Sequence, residues 1–180
     1  LNNIVLAGVF SDSVDFDPNT GEYNITATGL DDVFILKLDS NGNFIDVKSI
    51  ESTYSTGIYA MEISSSGFIY TTGTYQGTSD FDTGPLVYNL TSTGTNDMFI
   101  AKFNLDGNLI WASSYGGFGS DYGYGIALDT DENVLVAGEL TGMGGIKKMD
   151  SSGVLIWEVN LSGGGTCTDI DSDSSNNLLV

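Results

Sequence analysis

The residues best suited to bind a metal ion lie in two short acidic loops, in which oxygen-bearing side chains occupy alternate positions. They are Asp15, Asp17 and Asn19 in the first loop, and Asp129, Asp131 and Asn133 in the second. Alternating oxygen ligands suit calcium, but both loops lack the glycine and the glutamate that an EF-hand has at its sixth and twelfth positions. Asp and Asn also favour tight turns by bonding to their own backbone. Turn formation therefore explains the second loop without a metal, and calcium is a candidate cofactor at both loops.

Nucleophilic catalysis of the usual kinds has no support in the composition. The chain has no histidine and a single cysteine, Cys167, which removes histidine-based triads, the usual zinc sites and any internal disulfide. We expect Cys167 to be a small packed residue. A pair of carboxylates remains available among the 24 acidic residues, as in glycosidases, although no pair is distinguished from the others.

Aromatic side chains around a glycine-rich connection could stack on sugar rings. They are Tyr115, Phe118, Tyr122 and Tyr124. Packing between strands competes with this interpretation, because the last two lie two residues apart and so share one face of a strand. We likewise expect Trp111 and Trp157, which occupy one phase of a repeat described below, to pack between repeated units.

Net charge limits the partners. The formal charge is −19, with only five basic residues, all lysines. A phosphate backbone requires clustered cations, and the adjacent Lys147 and Lys148 must point to opposite faces if they lie in a strand. We therefore expect no nucleic-acid partner. No apolar run is long enough to span a membrane, so we also expect no membrane span.

The elements that position these residues are predicted by a repeat. Gly73 lies 65 residues after Gly8 and 65 before Gly138, each within a similar apolar segment. Gly107 and Gly153 are only 46 apart, so the third copy is 19 residues shorter. The lost part corresponds to the segment 14–26 of the first copy. That segment must therefore be an excursion that a unit can lack.

Each unit is predicted to consist of short β-strands, because its segments are rich in Val, Ile, Tyr, Phe and Thr and are separated by turn sequences. For the second unit we predict four core strands near 57–63, 67–75, 97–104 and 108–115, and an extra hairpin near 81–90. Four antiparallel strands repeated in this way are typical of a β-propeller blade. The predicted fold is therefore all-β, with about three four-stranded antiparallel blades.

The limits of the repeat predict one propeller segment over residues 1–180, with blade units at about 1–56, 57–121 and 122–165, and a partial unit at 166–180. Residues 176–180 repeat the phase of residues 2–6. Because propellers usually close with four to eight blades, we expect a truncated part of a larger array, taken as seven-bladed. Its nearest partners would then be neighbouring blades of the parent chain.

Three stretches carry a resemblance to a known family. They are Val14-Asp-Phe-Asp-Pro18, the run 34–42 (Phe-Ile-Leu-Lys-Leu-Asp-Ser-Asn-Gly) and the run 119–129 (Gly-Ser-Asp-Tyr-Gly-Tyr-Gly-Ile-Ala-Leu-Asp). They resemble the SBBP β-propeller repeat, which is common in exported bacterial proteins, and the resemblance covers nearly the whole chain. It implies an extracellular or cell-surface location and no catalytic motif. The copies differ in places, since Asp46 stands where the others have tryptophan.

The resulting functional prediction is a non-enzymatic β-propeller module with a structural role or with a protein or glycan partner. The alternative is a propeller enzyme, either a carboxylate glycosidase or a quinoprotein-like enzyme, whose site is completed by missing blades. The run 149–157 (Met-Asp-Ser-Ser-Gly-Val-Leu-Ile-Trp) resembles quinoprotein repeats and motivates the second alternative. The sequence contains no distinct site that decides between them.

Overall fold

The computed structural model of the chain describes residues 3–180, so the first two residues of the first predicted unit lie outside the described range. Within that range the chain forms β-strands joined by turns and contains no helix, hence none long and apolar enough to cross a membrane. The strands are β1 (Ile4–Phe10), β2 (Ser13–Asp15), β3 (Asn24–Thr26), β4 (Asp32–Leu38), β5 (Phe44–Ser52), β6 (Ser55–Ile63), β7 (Phe68–Gln76), β8 (Thr78–Asp80), β9 (Asn89–Thr91), β10 (Asp97–Asn104), β11 (Leu109–Tyr115), β12 (Tyr122–Leu128), β13 (Val134–Leu140), β14 (Met143–Met149), β15 (Leu155–Asn160), β16 (Asp171–Ser172) and β17 (Leu178–Leu179).

The strands form antiparallel sheets in sequence order. The second sheet has the order β11-β10-β7-β6 and the third has the order β12-β13-β14-β15, each with four strands. The first sheet contains β1, β4 and β5 and is extended by the hairpin β8-β9, while β2-β3 and β16-β17 form separate pairs. This all-β arrangement of four-stranded antiparallel sheets is the one expected for propeller blades.

The strands predicted for the second unit are confirmed, each to within two residues, and so is the extra hairpin. The hairpin differs from the prediction in its attachment. Its first strand, β8, pairs with the end of β5, so that Asp80 lies opposite Glu51 and Ser79 opposite Ser52. The excursion of the second unit therefore extends the sheet of the unit before it.

The sheets pack face to face. Successive residues of a central strand point to opposite faces, so one strand can contact the sheet on either side. In β13, Val134 and Val136 belong to the apolar cluster shared with the second sheet. Leu135 and Ala137 belong to the cluster on the other face, toward β16 and β17. Strand β13 is thus buried on both sides, which explains its nearly continuous apolar sequence.

Candidate functional site

The repeated glycine on which the units align permits a β-bulge in the second and third sheets. A Cβ atom at Gly73 would overlap the carbonyl oxygen of Gly57, and one at Gly138 would overlap that of Tyr122. Opposite these glycines the register of β6 and β12 shifts by one residue. The extra residues are Tyr59 and Tyr124. Because a bulge reorients the side chain that it carries, the glycine determines where both tyrosines point.

The bulges bring together three aromatic rings, which we call the tyrosine surface: Tyr59, Tyr122 and Tyr124. The last two are stacked, with ring centroids 5.5 Å apart and planes 15° from parallel. Tyr59, from the neighbouring sheet, lies 5.5 Å from Tyr124 and 6.5 Å from Tyr122. Tyr59 is 50% exposed and the other two are half-buried, so the cluster presents aromatic surface to solvent.

Polar groups surround the tyrosine surface. The Asn96 side chain donates hydrogen bonds to the Ser120 hydroxyl at 3.3 Å and to the Tyr122 hydroxyl at 3.5 Å. Burial raises the pKa of Tyr124, and the nearby Glu139 carboxylate raises it further. Burial likewise raises the pKa of Tyr59. At neutral pH these phenols are therefore protonated and able to donate hydrogen bonds.

The four aromatic residues considered for a glycan site, with packing between strands as the competing interpretation, lie in three different places. Tyr122 and Tyr124 join the tyrosine surface, while the Tyr115 ring packs between the second and third sheets with its hydroxyl 3.1 Å from the Met149 sulfur. Phe118 is fully exposed on the connection between those sheets. Tyr59 was missed, although it stands one repeat length before Tyr124 and the repeat could have identified it.

The tryptophans pack between repeated units, as predicted. Trp111 lies 6.4 Å from the Tyr70 ring, and its indole nitrogen donates to the carbonyl of Ser151 in the next sheet at 3.2 Å. Trp157 packs against the cluster that contains Cys167, which is buried as expected. These residues stabilise the contacts between units.

The first acidic loop is organised by hydrogen bonds within itself. One Asp15 oxygen accepts the amides of Asp17 and Tyr23, at 3.0 and 2.8 Å, and Asp17 accepts the amide of Asn19 at 2.9 Å. The same bonds recur one repeat later, where Asp80 accepts the amides of residues 82 and 88. The pattern is that of turns in which a side chain binds the backbone two residues on.

The second acidic loop is also a turn, and its first carboxylate is buried. One Asp129 oxygen accepts the amides of Asp131 and Asn133, and the other accepts the Asn133 side chain and lies 2.6 Å from the Lys148 ammonium. Burial raises the pKa of Asp129, but the hydrogen bonds from Lys148, Asn133 and Asp131 outweigh it, so the pKa lies below its ordinary value. A calcium ion here would compete with the Lys148 ammonium.

The two acidic loops are separate features, and no group of three or more acidic, histidine or cysteine side chains suited to a metal occurs within residues 3–180. The same turn chemistry also appears at four other turns, headed by Asp39, Asn104, Asp150 and Asp173. Turn formation therefore accounts for the hydrogen bonds seen in both loops. Calcium binding stays a prediction.

These features define an all-β protein of repeated, face-to-face antiparallel sheets that carries an aromatic surface at a sheet edge. No family model matches the chain. It is similar to an uncharacterized WD repeat-containing protein of Acanthamoeba polyphaga mimivirus, with 36% identity over 55 residues. The match covers 31% of this chain and only 4% of the viral protein. WD repeats build propeller blades, so this similarity fits the observed sheets.

Proposed function

We propose that the chain is a blade segment of a β-propeller of the SBBP type, within a larger array that we take as seven-bladed. The support is the repetition of one construction: antiparallel sheets in sequence order, stacked face to face, with equivalent contacts between neighbours. Ser65 bonds to Glu132 of the next unit, and Thr130 bonds at the corresponding place to Asn176. The resemblance of the sequence to exported bacterial repeats motivates an extracellular or cell-surface location.

Its proposed role is that of a non-enzymatic interaction module, and the observation that carries this role is the tyrosine surface. Stacked, half-exposed aromatic rings with adjacent amide and hydroxyl groups are suited to the apolar faces and hydroxyl groups of sugars. Bulges, which often lie beside functional sites, place two of the three rings. We therefore propose a glycan as the partner class of this surface.

Titration of the protein with a panel of neutral oligosaccharides, followed by two-dimensional NMR of its amide signals, tests this role. We expect saturable shifts at residues 59, 122 and 124, and Tyr124→Ala should weaken binding about fivefold or more, since one aromatic contact contributes about 1 kcal/mol. Tyr54→Ala is the matched control, because Tyr54 is an exposed tyrosine outside the cluster. Equal weakening by both variants, or no shifts at all, would contradict the glycan role.

Two alternatives stay predictions. Calcium would support this module as a cofactor bound by the acidic loops. A carboxylate or quinoprotein-like enzyme would require residues from further blades, and it predicts activity that is lost on replacing one specific acidic pair in the parent protein.

A further inference from the structure

A second candidate site lies where the third unit lacks its excursion. Between the first and second sheets, the equivalent space is filled by the β8-β9 hairpin. Phe81, directly after β8, is fully buried there against Tyr75 and Phe99, with ring centroids 5.9 and 5.0 Å away. Tyr88 from the same hairpin donates to the Ala112 carbonyl at 3.1 Å. The hairpin thus closes the outer side of that contact between sheets.

Between the second and third sheets this space is open. The β13-β14 turn is 19 residues shorter, and it leaves a cleft of about 270 Å³, which we call the side cleft. The residues that line it include Tyr115, Gly116, Thr141, Lys147 and Glu158. The site is independent of the tyrosine surface.

The floor of the side cleft also differs in its side chains from the equivalent position in the second sheet. In the second sheet, Ala101 of β10 lies directly opposite Ala112 of β11. The corresponding pair in the third sheet is Lys147 and Glu158, which form an ion pair. The Lys147 ammonium is buried and lies 4.8 Å from the centroid of the Tyr115 ring. An ion pair between a buried ammonium and a half-exposed carboxylate, in place of two alanines, indicates a floor suited to a polar or charged occupant.

The wall of the side cleft offers a backbone segment, residues 116–118, that has no strand partner in the described part of the chain. In the first sheet, the amide of Thr53 donates to the Thr78 carbonyl of the hairpin at 2.8 Å, next to the pairing of Glu51 with Asp80. The corresponding residues are Gly116 and Phe118, directly after the end of β11, and no strand of residues 3–180 pairs with them. Exposed sheet edges bind extended peptides through main-chain hydrogen bonds.

We propose that the side cleft binds an extended, basic segment of a partner protein, which pairs with residues 116–118 and inserts one aromatic side chain above the Lys147-Glu158 pair. The internal hairpin provides the precedent for a strand with an inserted aromatic ring. An aromatic ring next to the Lys147 ammonium gains a cation–π contact. The positive charge of the segment follows from the net charge of −19 and from the half-exposed Glu158 carboxylate at the mouth of the cleft.

A peptide derived from the internal hairpin tests the proposal. The probe has the sequence of residues 77–92 with Asp82→Lys and Leu86→Lys, and its matched control additionally carries Phe81→Ala. We expect the probe, at about millimolar concentration, to shift the amide signals of Gly116, Phe118 and Lys147, and the control to bind at least about tenfold more weakly. No shift, equal binding of the control, or shifts confined to the tyrosine surface would overturn the proposal.

Two protein variants separate the side cleft from other surfaces. Replacing Thr141 and Gly142 with residues 76–96 of the second unit restores a hairpin in cis, which should abolish probe binding. Glu158→Gln keeps the size of the side chain and removes its charge, so it should weaken binding of the basic probe severalfold even if the graft does not fold. Undiminished binding to Glu158→Gln would count against the charge complementarity on which the proposal rests.

Discussion

Glu132 has a backbone φ of 58°, in the left-handed region that favours glycine, and the equivalent position in the preceding unit is Gly67. A non-glycine residue in this region costs about 1 kcal/mol or more. The Glu132 side chain offsets that cost by accepting the Ser65 hydroxyl at 2.7 Å and the Ser66 amide at 2.8 Å, together with the Ser66 hydroxyl. It therefore connects the turns of two neighbouring sheets.

Glu132 should also contribute a measurable pH dependence. The hydrogen bonds from Ser66 and Ser65 hold its pKa below the ordinary value of 4.5. A carboxylate with a lowered folded-state pKa stabilises the fold above its unfolded-state pKa, and this contribution disappears as the pH falls through the folded-state value. We expect Glu132→Gln to lower the free energy of unfolding at pH 7, and the difference from wild type to shrink below about pH 4.

Urea unfolding of both proteins between about pH 3 and pH 7 provides the measurement. Glu22→Gln is a suitable control because Glu22 is exposed. A difference between Glu132→Gln and wild type that stays constant over the whole range would show that the carboxylate charge contributes nothing.

Substitution of Asp129 tests whether its carboxylate stabilises the turn or binds calcium. Its removal leaves the partly buried Lys148 without its carboxylate and two turn amides without their acceptor. We expect Asp129→Ala to lower the free energy of unfolding by about 2 to 3 kcal/mol in chelator, as for hydrogen bonds to a charged group. Asp39→Ala, in an equivalent but exposed turn, should have a smaller effect.

Thermal unfolding with calcium and with chelator completes this test. The calcium hypothesis requires a rise in melting temperature that is lost in Asp15→Ala, Asp17→Ala or Asp129→Ala. A rise of equal size in all three variants and in wild type would exclude these residues as ligands.

At the scale of elements, the hairpin β8-β9 connects two sheets, since it arises from the second and pairs with the first. Phe81 is its buried contact and is fully inaccessible. Phe81→Ala should therefore lower the free energy of unfolding by about 3 to 5 kcal/mol, as for other buried aromatic residues. Phe118→Ala is the matched control, because its ring is fully exposed and its loss should change stability by no more than about 0.5 kcal/mol.

Chemical denaturation of the two variants gives this comparison directly. If Phe81→Ala proved as stable as Phe118→Ala, the hairpin would not be a stabilising contact between the sheets, and the precedent for strand addition at the side cleft would be lost.

The strands and the excursion could be predicted from sequence because alternation, turn residues and the 65-residue repeat are local signals. The attachment of the hairpin could not, since pairing of Asp80 with Glu51 depends on how separate units stack. The role of Gly73 and Gly138 in permitting a bulge could not be predicted either, because it depends on how two strands pair. Of the candidate site, Tyr122 and Tyr124 were identified from sequence, but their partner Tyr59 comes from another sheet.

For the whole molecule, the net charge of −19 predicts a stability that depends on salt. Repulsion among like charges destabilises a compact state, and raising ionic strength from about 0.01 to about 0.15 M shortens the Debye length from about 30 to about 8 Å. We expect the melting temperature to rise over this range of sodium chloride. Equal concentrations of potassium chloride should have the same effect, and a melting temperature independent of both salts would contradict the prediction.

The third sheet buries one face against the unit before it and the other against the partial unit after it, as the alternating side chains of β13 show. A change at one boundary therefore leaves the others intact. The third unit has lost 19 residues and exchanged two alanines for an ion pair, yet the contacts on its other face follow the common pattern. Such a chain can diversify one boundary at a time, so that new binding properties arise between units while the units themselves keep folding.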